Sequence, residues 1–363
     1  GEPGTFKDRT LMERDPHRVL EGCMIASIAL DIHHVYIYVR CELVQSIRRL
    51  DGAIREARAK GYLGAKVAGK TFDLDIVVHA GGGAYICGEE TALLNSLEGK
   101  RGEPRLKPPF PAIAGAFGAP TIVNNLETIA TIPTVIEMGG ENFSKLSSLH
   151  HLKDGGVRLY GVSGHVKKPG VYEAPVGITL RDLIYDLGGG IRDDHKLKGV
   201  IPGGSSTPVV REEDLVNAPD EKAILHAWHG KSHLDVPMGV DTMRGIGTML
   251  GTCCAIVMDD TVCMVRAAQN LMRFYAHESC GQCTPCREGC PWMLRLCDKL
   301  ENGTCSEEEL ATLTDVANNI MGNTICALGD GAAMPMLGFI QKYRDEFEAH
   351  VKQKKCPLGA RWH

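Results

Sequence analysis

No apolar run in this chain of 363 residues approaches the length of roughly 18 that a membrane-crossing helix needs. The longest, near Cys23–Leu30 and Met249–Met258, are sized for a buried core, so any link to a membrane would run through a partner. A charge of one sign is also missing. The 40 Lys and Arg against 45 Asp and Glu leave a formal net charge of −5, spread along the chain. That is no electrostatic footprint for nucleic acid, and the short basic tail Lys352-Gln353-Lys354-Lys355 reads as a solvated end. No secretory signal segment is expected. The chain opens at Gly1 rather than Met, and upstream sequence is expected to be missing. It also has no Gly-x-Gly-x-x-Gly fingerprint and no two separated Cys-x-x-Cys pairs. What it has is cysteine, fourteen in all. A chain this long is no stapled mini-fold, and metal binding in a reducing compartment suits it better than disulfides.

The cysteines that share a pattern lie in His277-Glu278-Ser279-Cys280-Gly281-Gln282-Cys283-Thr284-Pro285-Cys286-Arg287-Glu288-Gly289, with three thiols at every third position. A tight loop can point all three into one small volume, and Cys326 is a remote fourth candidate. Four thiolates around a cube suit an iron–sulfur cluster. A structural zinc is the rival, although zinc sites usually join two separated pairs.

In chain order, the first third reads as an α/β unit. Asp15-Pro16 caps a helix of about four turns. Val35–Val39 is a short strand, and Leu43, Ile47, Leu50, Ile54 and Ala57 recur at helical spacing up to Gly61. Phe72–Val78 is a second strand; strand, helix and strand imply a parallel sheet. It runs into Gly81-Gly82-Gly83-Ala84-Tyr85-Ile86-Cys87-Gly88-Glu89-Glu90 and a new helix. Glycines between strand and helix let a ligand approach bare backbone, or simply make a tight connection. The two glutamates suit a helix dipole or face ribose hydroxyls. Lys107-Pro108-Pro109-Phe110-Pro111 is a stiff loop whose Phe110 can stack on a ring. Asn124 is expected to cap a helix with Glu127 three residues on, leaving Asn125 spare.

After a polar linker, Val157–Gly161, Gly170–Tyr172 and Lys198–Ile201 read as strands around a short helix, Leu180–Leu187, capped by Thr179. Four helices follow: 261–277, 289–301, 306–321 and 331–351, the third with a capping box of Ser306 and Glu309. In an up-down bundle the loop holding Cys280–Cys286 and the loop holding Cys326 fall at one end. Cys253, Cys254, Cys263, Cys290, Cys297 and Cys305 lack the spacing and are read as small buried apolar residues, and Met334 and Met336 as core filler.

These stretches together resemble the NADH-binding flavoprotein subunits of bacterial respiratory complex I, the NADH:quinone oxidoreductase. The resemblance is carried by Gly1–Thr5, Ala84–Leu93, Leu106–Pro111, Val123–Thr128, Pro202-Gly203-Gly204 and Glu278–Gly289, and spans the whole chain. It implies α/β plus α architecture: a Rossmann-like flavin and NADH domain at residues 1-150, a ubiquitin-like β-grasp (SLBB-like) module at 151-245, and a four-helix bundle with an iron–sulfur cluster at 246-363.

Carried over residue by residue, the resemblance implies Cys280, Cys283, Cys286 and Cys326 as ligands of one [4Fe–4S] cluster. It implies Gly81, Gly83, Tyr85, Gly88, Glu89, Glu90, Asn124 and Asn125 around FMN, with Ala327 and Leu328 closing the pocket. Glu2, Glu90, Lys107 and Phe110 are implied for NADH, Glu90 also disfavouring NADPH. The implied reaction is hydride transfer from NADH to FMN, then single electrons to the cluster, with no side chain as general acid or base. The implied partners are a thioredoxin-like [2Fe–2S] subunit and a large iron–sulfur subunit, in a cytoplasmic complex peripheral to the inner membrane. Relatives of the same type serve NAD-linked hydrogenases and formate dehydrogenases, and a truncated electron-transfer scaffold without NADH activity is a further alternative. Two departures stand out. The family's Gly-Arg-Gly-Gly-Ala-Gly-Phe segment, upstream of Glu2-Pro3-Gly4, is not in the chain, and Cys41 replaces a common glycine.

Overall fold

Asp15 and Pro16 start a helix for the reasons their chemistry supplies. The Asp15 carboxylate accepts the Arg18 amide at 3.3 Å, and Pro16 enters where its missing N–H leaves no helical bond unmade. The computed structural model describes residues 1–359, and the chain divides into two compact units. Gly1 and Phe6–Lys145 form one; Glu2–Thr5 and the chain from Leu146 onward form the other.

The first unit runs α1 (Lys7–Arg14), α2 (Pro16–Leu30), β1 (His34–Arg40), α3 (Val44–Ala59), β2 (Asp75–Gly81), α4 (Glu90–Leu97), α5 (Leu126–Met138) and α6 (Gly140–Ser144). β1 and β2 pair in parallel, His34 opposite Asp75 through Arg40 opposite Gly81. α3 crosses between them and buries Leu50, Ala53, Ile54 and Ala57, one helical face, against Ile37, Val39, Leu74 and Ile76. The second strand lies three residues later than Phe72–Val78. Phe72 stays outside it, stacked on His33 with ring centroids 4.8 Å apart, and the strand extends to Gly81. The asparagine roles are exchanged as well. Asn125, not Asn124, caps α5, accepting the Glu127 amide at 3.0 Å, while the Glu127 carboxylate pairs with the buried Lys7 at 2.6 Å. Cys41 lies in a turn without left-handed backbone, so that turn does not require glycine.

The second unit runs β3 (Val157–Gly164), β4 (Gly170–Pro175), β5 (Leu197–Ile201), α7 (Val240–Gly245), β6 (Cys254–Asp259), α8 (Met264–Glu278), α9 (Thr284–Glu301), α10 (Glu307–Ile320), α11 (Leu328–Lys342) and α12 (Arg344–Gln353). Its sheet has the order β4-β3-β6-β5, with β6 parallel to β3 and antiparallel to β5. β6 is illegible in the sequence because it is interior and nearly all buried, so it has no alternation to show. It also lies past residue 245, so the sheet takes an inner strand from the stretch expected to be bundle. The Leu180–Leu187 helix is a widened turn over Asp182–Leu187, and Thr179 does cap it: its hydroxyl donates to Asp182 at 2.8 Å and accepts the Asp182 amide at 3.1 Å.

Among the described residues five helices, not four, follow β6. α8 to α11 each pack on the next, and α11 returns to α8. The last expected helix breaks at Tyr343, whose backbone leaves helical geometry. Its ring is buried, its hydroxyl donates to the Lys198 carbonyl at 2.7 Å, and Arg211 lies over its face, so α12 sets off anew. α9 begins at Thr284-Pro285 rather than Gly289, which draws Cys286 into its first turn. α10 has the expected reciprocal cap between Ser306 and Glu309. Residues 360–363, inside the stretch assigned to the bundle, lie outside the described residues.

The junction of β6 and α8 is held by Asp259, whose side chain is fully buried. Burial alone would raise its carboxyl. The Thr261 hydroxyl at 2.5 Å, His165 Nδ1 at 2.8 Å and the Thr261 amide at 3.0 Å outweigh that and hold it down at about 2, from an ordinary 3.8. A carboxylate held low stabilises the fold above its unfolded pKa and ceases to as the pH falls through the folded value. Asp259→Asn is therefore expected to destabilise the protein by about 2 kcal/mol at neutral pH. In thermal unfolding across pH, the gap from wild type should be full above about 4 and shrink toward 2.

Candidate functional site

Two groups of residues carry the chemistry, one in each unit. In the first unit, β2 runs out at Gly81 and the chain passes Gly82 and Gly83 into a single tight turn, Tyr85–Gly88, before α4. Packing explains Gly81: a Cβ there would lie 2.4 Å from the Tyr38 hydroxyl, which bonds Ser96 at 2.8 Å. At Gly82 and Gly88 a Cβ would meet nothing within 4 Å, so bare backbone faces open space. Gly83 takes a left-handed φ of +83°.

Glu89 caps α4. One carboxylate oxygen accepts the Thr91 and Ala92 amides, each at 2.8 Å, and the Thr91 hydroxyl at 2.6 Å. Burial pushes this carboxyl up, but those donors and the neighbouring Lys107 outweigh it and hold it below its ordinary value. The other oxygen lies 3.4 Å from Lys107, which also pairs with Glu90, and the Glu90 bond raises the ammonium. Sequence reasoning named Glu89, Glu90 and Lys107; the structure brings them together. It missed Arg105, which anchors the following loop by bonding Asn95 at 2.8 Å, Glu98 at 2.7 Å and the Gly115 carbonyl at 3.0 Å. Phe110 is exposed on that loop, and Asn124 is exposed before α5.

In the second unit, Glu2-Pro3-Gly4-Thr5 lies on the Pro202-Gly203-Gly204 turn, so two of the motifs singled out in the sequence meet. Glu2 accepts the Ser206 amide at 2.9 Å and hydroxyl at 2.6 Å, and the Ser205 amide donates to the Pro3 carbonyl at 3.2 Å. Gly204 leaves room for this, since a Cβ would stand 2.8 Å from the Glu2 carboxyl carbon. Burial raises Glu2 despite the Ser206 bonds. Glu2 thus belongs to the second unit, and Glu90, Lys107 and Phe110 to the first.

The cysteine nest lies among the bundle helices. Cys283 caps α9, Cys286 lies in its first turn, and Cys326 lies two residues before α11. Cys326 feels all of the others: burial and then the thiols of Cys280, Cys286 and Cys283 push it up to about 11. Cys286 is buried, with Ser279 Oγ at 3.2 Å; the other three are half-buried. Arg287 ties the loop by donating to the Gly281 carbonyl at 3.2 Å. A single tetrahedral zinc would draw its thiolates to about 4 Å of one another. Among the described residues the nest is wider than that, since it furnishes no three ligand atoms within 4.8 Å of one another. Four thiols are the donor chemistry that a [4Fe–4S] cluster takes. Cys290, set aside in the sequence, lies 3.9 Å from Cys286 one turn along α9, a neighbour that the i, i+4 spacing could have revealed. Ala327 is exposed and Leu328 buried at the start of α11.

Comparison with known proteins matches three stretches of the chain. Residues 1–134 match the family model for the Nuo51 FMN-binding domain, 158–225 that for the SLBB domain, and 266–350 that for the NADH-ubiquinone oxidoreductase-F iron–sulfur binding region. The chain is 49% identical to the NADH-quinone oxidoreductase F subunit of Mycobacterium tuberculosis, covering 99% of this chain and 76% of that one. It is 48% identical to the F subunit of Streptomyces coelicolor, covering 98% and 74%. Among solved structures, the NAD+-reducing [NiFe]-hydrogenase in its H2-reduced state aligns with a TM-score of 0.80 at 29% identity, over 98% of this chain. This chain spans about half, 55%, of that hydrogenase chain. With near-complete coverage at this identity, the chain belongs to the family of NADH-quinone oxidoreductase F subunits.

Proposed function

We propose that this chain is the electron-entry subunit of an NADH:quinone oxidoreductase, oxidising NADH with FMN and passing single electrons to a [4Fe–4S] cluster. The observation that carries this is the 49% identity over 99% of the chain with an NADH-quinone oxidoreductase F subunit; the place of Cys283 and Cys286 at the start of α9 and of Cys326 just before α11 supports it. When bound, FMN and the cluster supply the two-electron and one-electron chemistry, and no side chain is needed as a general acid or base.

The chain's own residues bind and orient. Cys280, Cys283, Cys286 and Cys326 hold the cluster. Gly81, Gly83, Tyr85, Gly88, Glu89, Glu90, Asn124, Asn125, Ala327 and Leu328 line FMN; Glu2, Glu90, Lys107 and Phe110 contact NADH. The open backbone at Gly88 supports the flavin assignment, as does Asn124, which has no capping role. Lys107 fixes Glu90 in place, where its carboxylate accepts hydroxyl hydrogen bonds and repels an added phosphate. On this reading residues 1-150 serve flavin and nucleotide, 151-245 with β6 form a β-grasp module, and the remainder to 363 is a cluster-holding helical domain. The partners are a thioredoxin-like [2Fe–2S] subunit and a large iron–sulfur subunit. No helix among the described residues is long and apolar enough to cross a membrane, which suits a cytoplasmic subunit attached to the inner membrane through its complex.

A second reading, the diaphorase subunit of an NAD-linked hydrogenase, is favoured by the structural likeness above; 49% against 29% identity favours the quinone-reducing complex.

With FMN and cluster in place, the protein is expected to reduce ferricyanide with NADH. Cys326→Ser should abolish the reduced cluster's paramagnetic spectrum and lower bound iron. Absence of flavin-dependent NADH oxidation in the assembled complex would leave only the electron-transfer scaffold. Glu90→Gln should lower the NADH-over-NADPH ratio of kcat/KM by about tenfold, read from steady-state kinetics with each nucleotide.

A further inference from the structure

A second group of soft ligands lies outside the cysteine nest, on residues to which the proposed electron transfer gives no role. Cys263 caps α8, Glu301 is the last residue of α9, His350 lies on α12, and Cys356 follows α12. The Cys263 and Cys356 sulfurs and a His350 ring nitrogen all lie within 4.8 Å of one another. His350 Nε2 is 3.4 Å from Cys263 Sγ, and the Glu301 carboxylate is 3.4 Å from His350 Nε2 and 3.7 Å from Cys263 Sγ. Cys263 is fully buried and His350 is 1% exposed. Bringing a buried imidazole and a buried thiol together with a carboxylate and a half-buried thiol is costly unless something satisfies them.

The surrounding fold sets up this convergence. Glu346 accepts the Met264 amide at 3.1 Å and pairs with Lys198 at 2.5 Å, fastening α12 to the start of α8. One turn later on the same face, His350 arrives beside Cys263. Its Nδ1 donates to the Glu346 carbonyl at 2.7 Å, which leaves Nε2 facing the sulfur and carboxylate. An imidazole oriented through its far nitrogen is the usual arrangement of a metal ligand. Past α12 the chain turns at Lys354, left-handed at φ 54°, and returns Cys356 to the group. Gly303, just beyond α9, permits that return, because a Cβ there would stand 1.9 Å from the Lys354 carbonyl oxygen.

We propose that Cys263, His350 and Cys356, with Glu301 as fourth donor, form a structural zinc site that fastens the segment after α12 to the helical domain. Two thiolates, an imidazole and a carboxylate suit zinc and exclude the hard cations magnesium and calcium. Sulfur and oxygen lone pairs of Cys263, Glu301 and the Glu346 carbonyl surround the His350 ring. The same electron-rich surroundings attract a dication. Zinc binding displaces the two thiol protons and any proton on His350, so electrons stay paired and no oxidant enters.

The test is metal analysis of the full chain with its cluster in place, after a mild chelator has removed loosely held ions. One zinc per chain is expected beside the cluster iron. Cys356→Ala, a change at a half-buried position beyond the last helix, should lose that zinc while keeping iron and the cluster spectrum. Cys326→Ser should lose iron and keep zinc. Cobalt(II) offered in place of zinc should give thiolate charge-transfer and tetrahedral bands that Cys356→Ala removes, and Glu301→Gln should weaken retention roughly tenfold. Three results would overturn the site: no zinc and no cobalt–thiolate band, zinc retained in Cys356→Ala, or a Cys263–Cys356 disulfide in the intact mass.

Discussion

Thiols resist being crowded together, because each one ionised makes the next harder to ionise. At Cys326, burial and three neighbouring sulfurs push the thiol up to about 11. A chain keeps such a group only if something offsets the accumulated negative charge, and iron does so most completely. The backbone also contributes. Cys283 and Cys286 open α9, and Cys326 lies just ahead of α11, so three of the four sulfurs are placed at helix N-termini, where unpaired amides carry partial positive charge. Starting α9 at Thr284 instead of Gly289 matters for this reason, since it puts Cys286 within the reach of the helix end.

The first unit uses its helix terminus in the opposite sense. The amides at the start of α4 would be a natural seat for a phosphate, but Glu89 already takes two of them. A ligand reaching that end meets the carboxylates of Glu89 and Glu90 with Lys107 between them. Carboxylates receive hydroxyl groups and repel phosphates, so this edge suits the sugar part of a nucleotide. The phosphates of a bound nucleotide must then be held by other donors.

The sequence made the ends of elements legible and left the interior of sheets obscure. Asp15-Pro16, Thr179 and Ser306 with Glu309 each act as their side chains require, because capping is a local bond between near neighbours. Adjacent asparagines defeated the same logic. Either can cap, and the choice fell to Asn125, whose amide also reaches Asp8 at 3.2 Å, a contact 117 residues away. β6 was invisible for another reason: burial on both faces removes the alternation that marks a strand. Tyr343 ended α11 through the Lys198 carbonyl, a partner that no local pattern announces. For the cysteine nest, a three-residue spacing and a bundle topology pointed to the same place.

The high cysteine content therefore has no single meaning. Cys23 lies in a core, and burial alone pushes it up to about 12; Cys297 is raised by burial and then by Asp298, Cys305 and Glu301, so neither is a ready thiolate at neutral pH. Both behave as small apolar residues, as the sequence suggested for Cys297. Cys263 was placed with them because its neighbours in sequence say nothing of His350, Glu301 or Cys356. What separates it from Cys23 is company rather than exposure, for both are buried. A buried thiol beside an imidazole and a carboxylate can exchange its proton for a metal ion, whereas one among leucines cannot. Ligand sites in a cysteine-rich chain are thus distinguished by the converging polar partners, and these are set by tertiary packing.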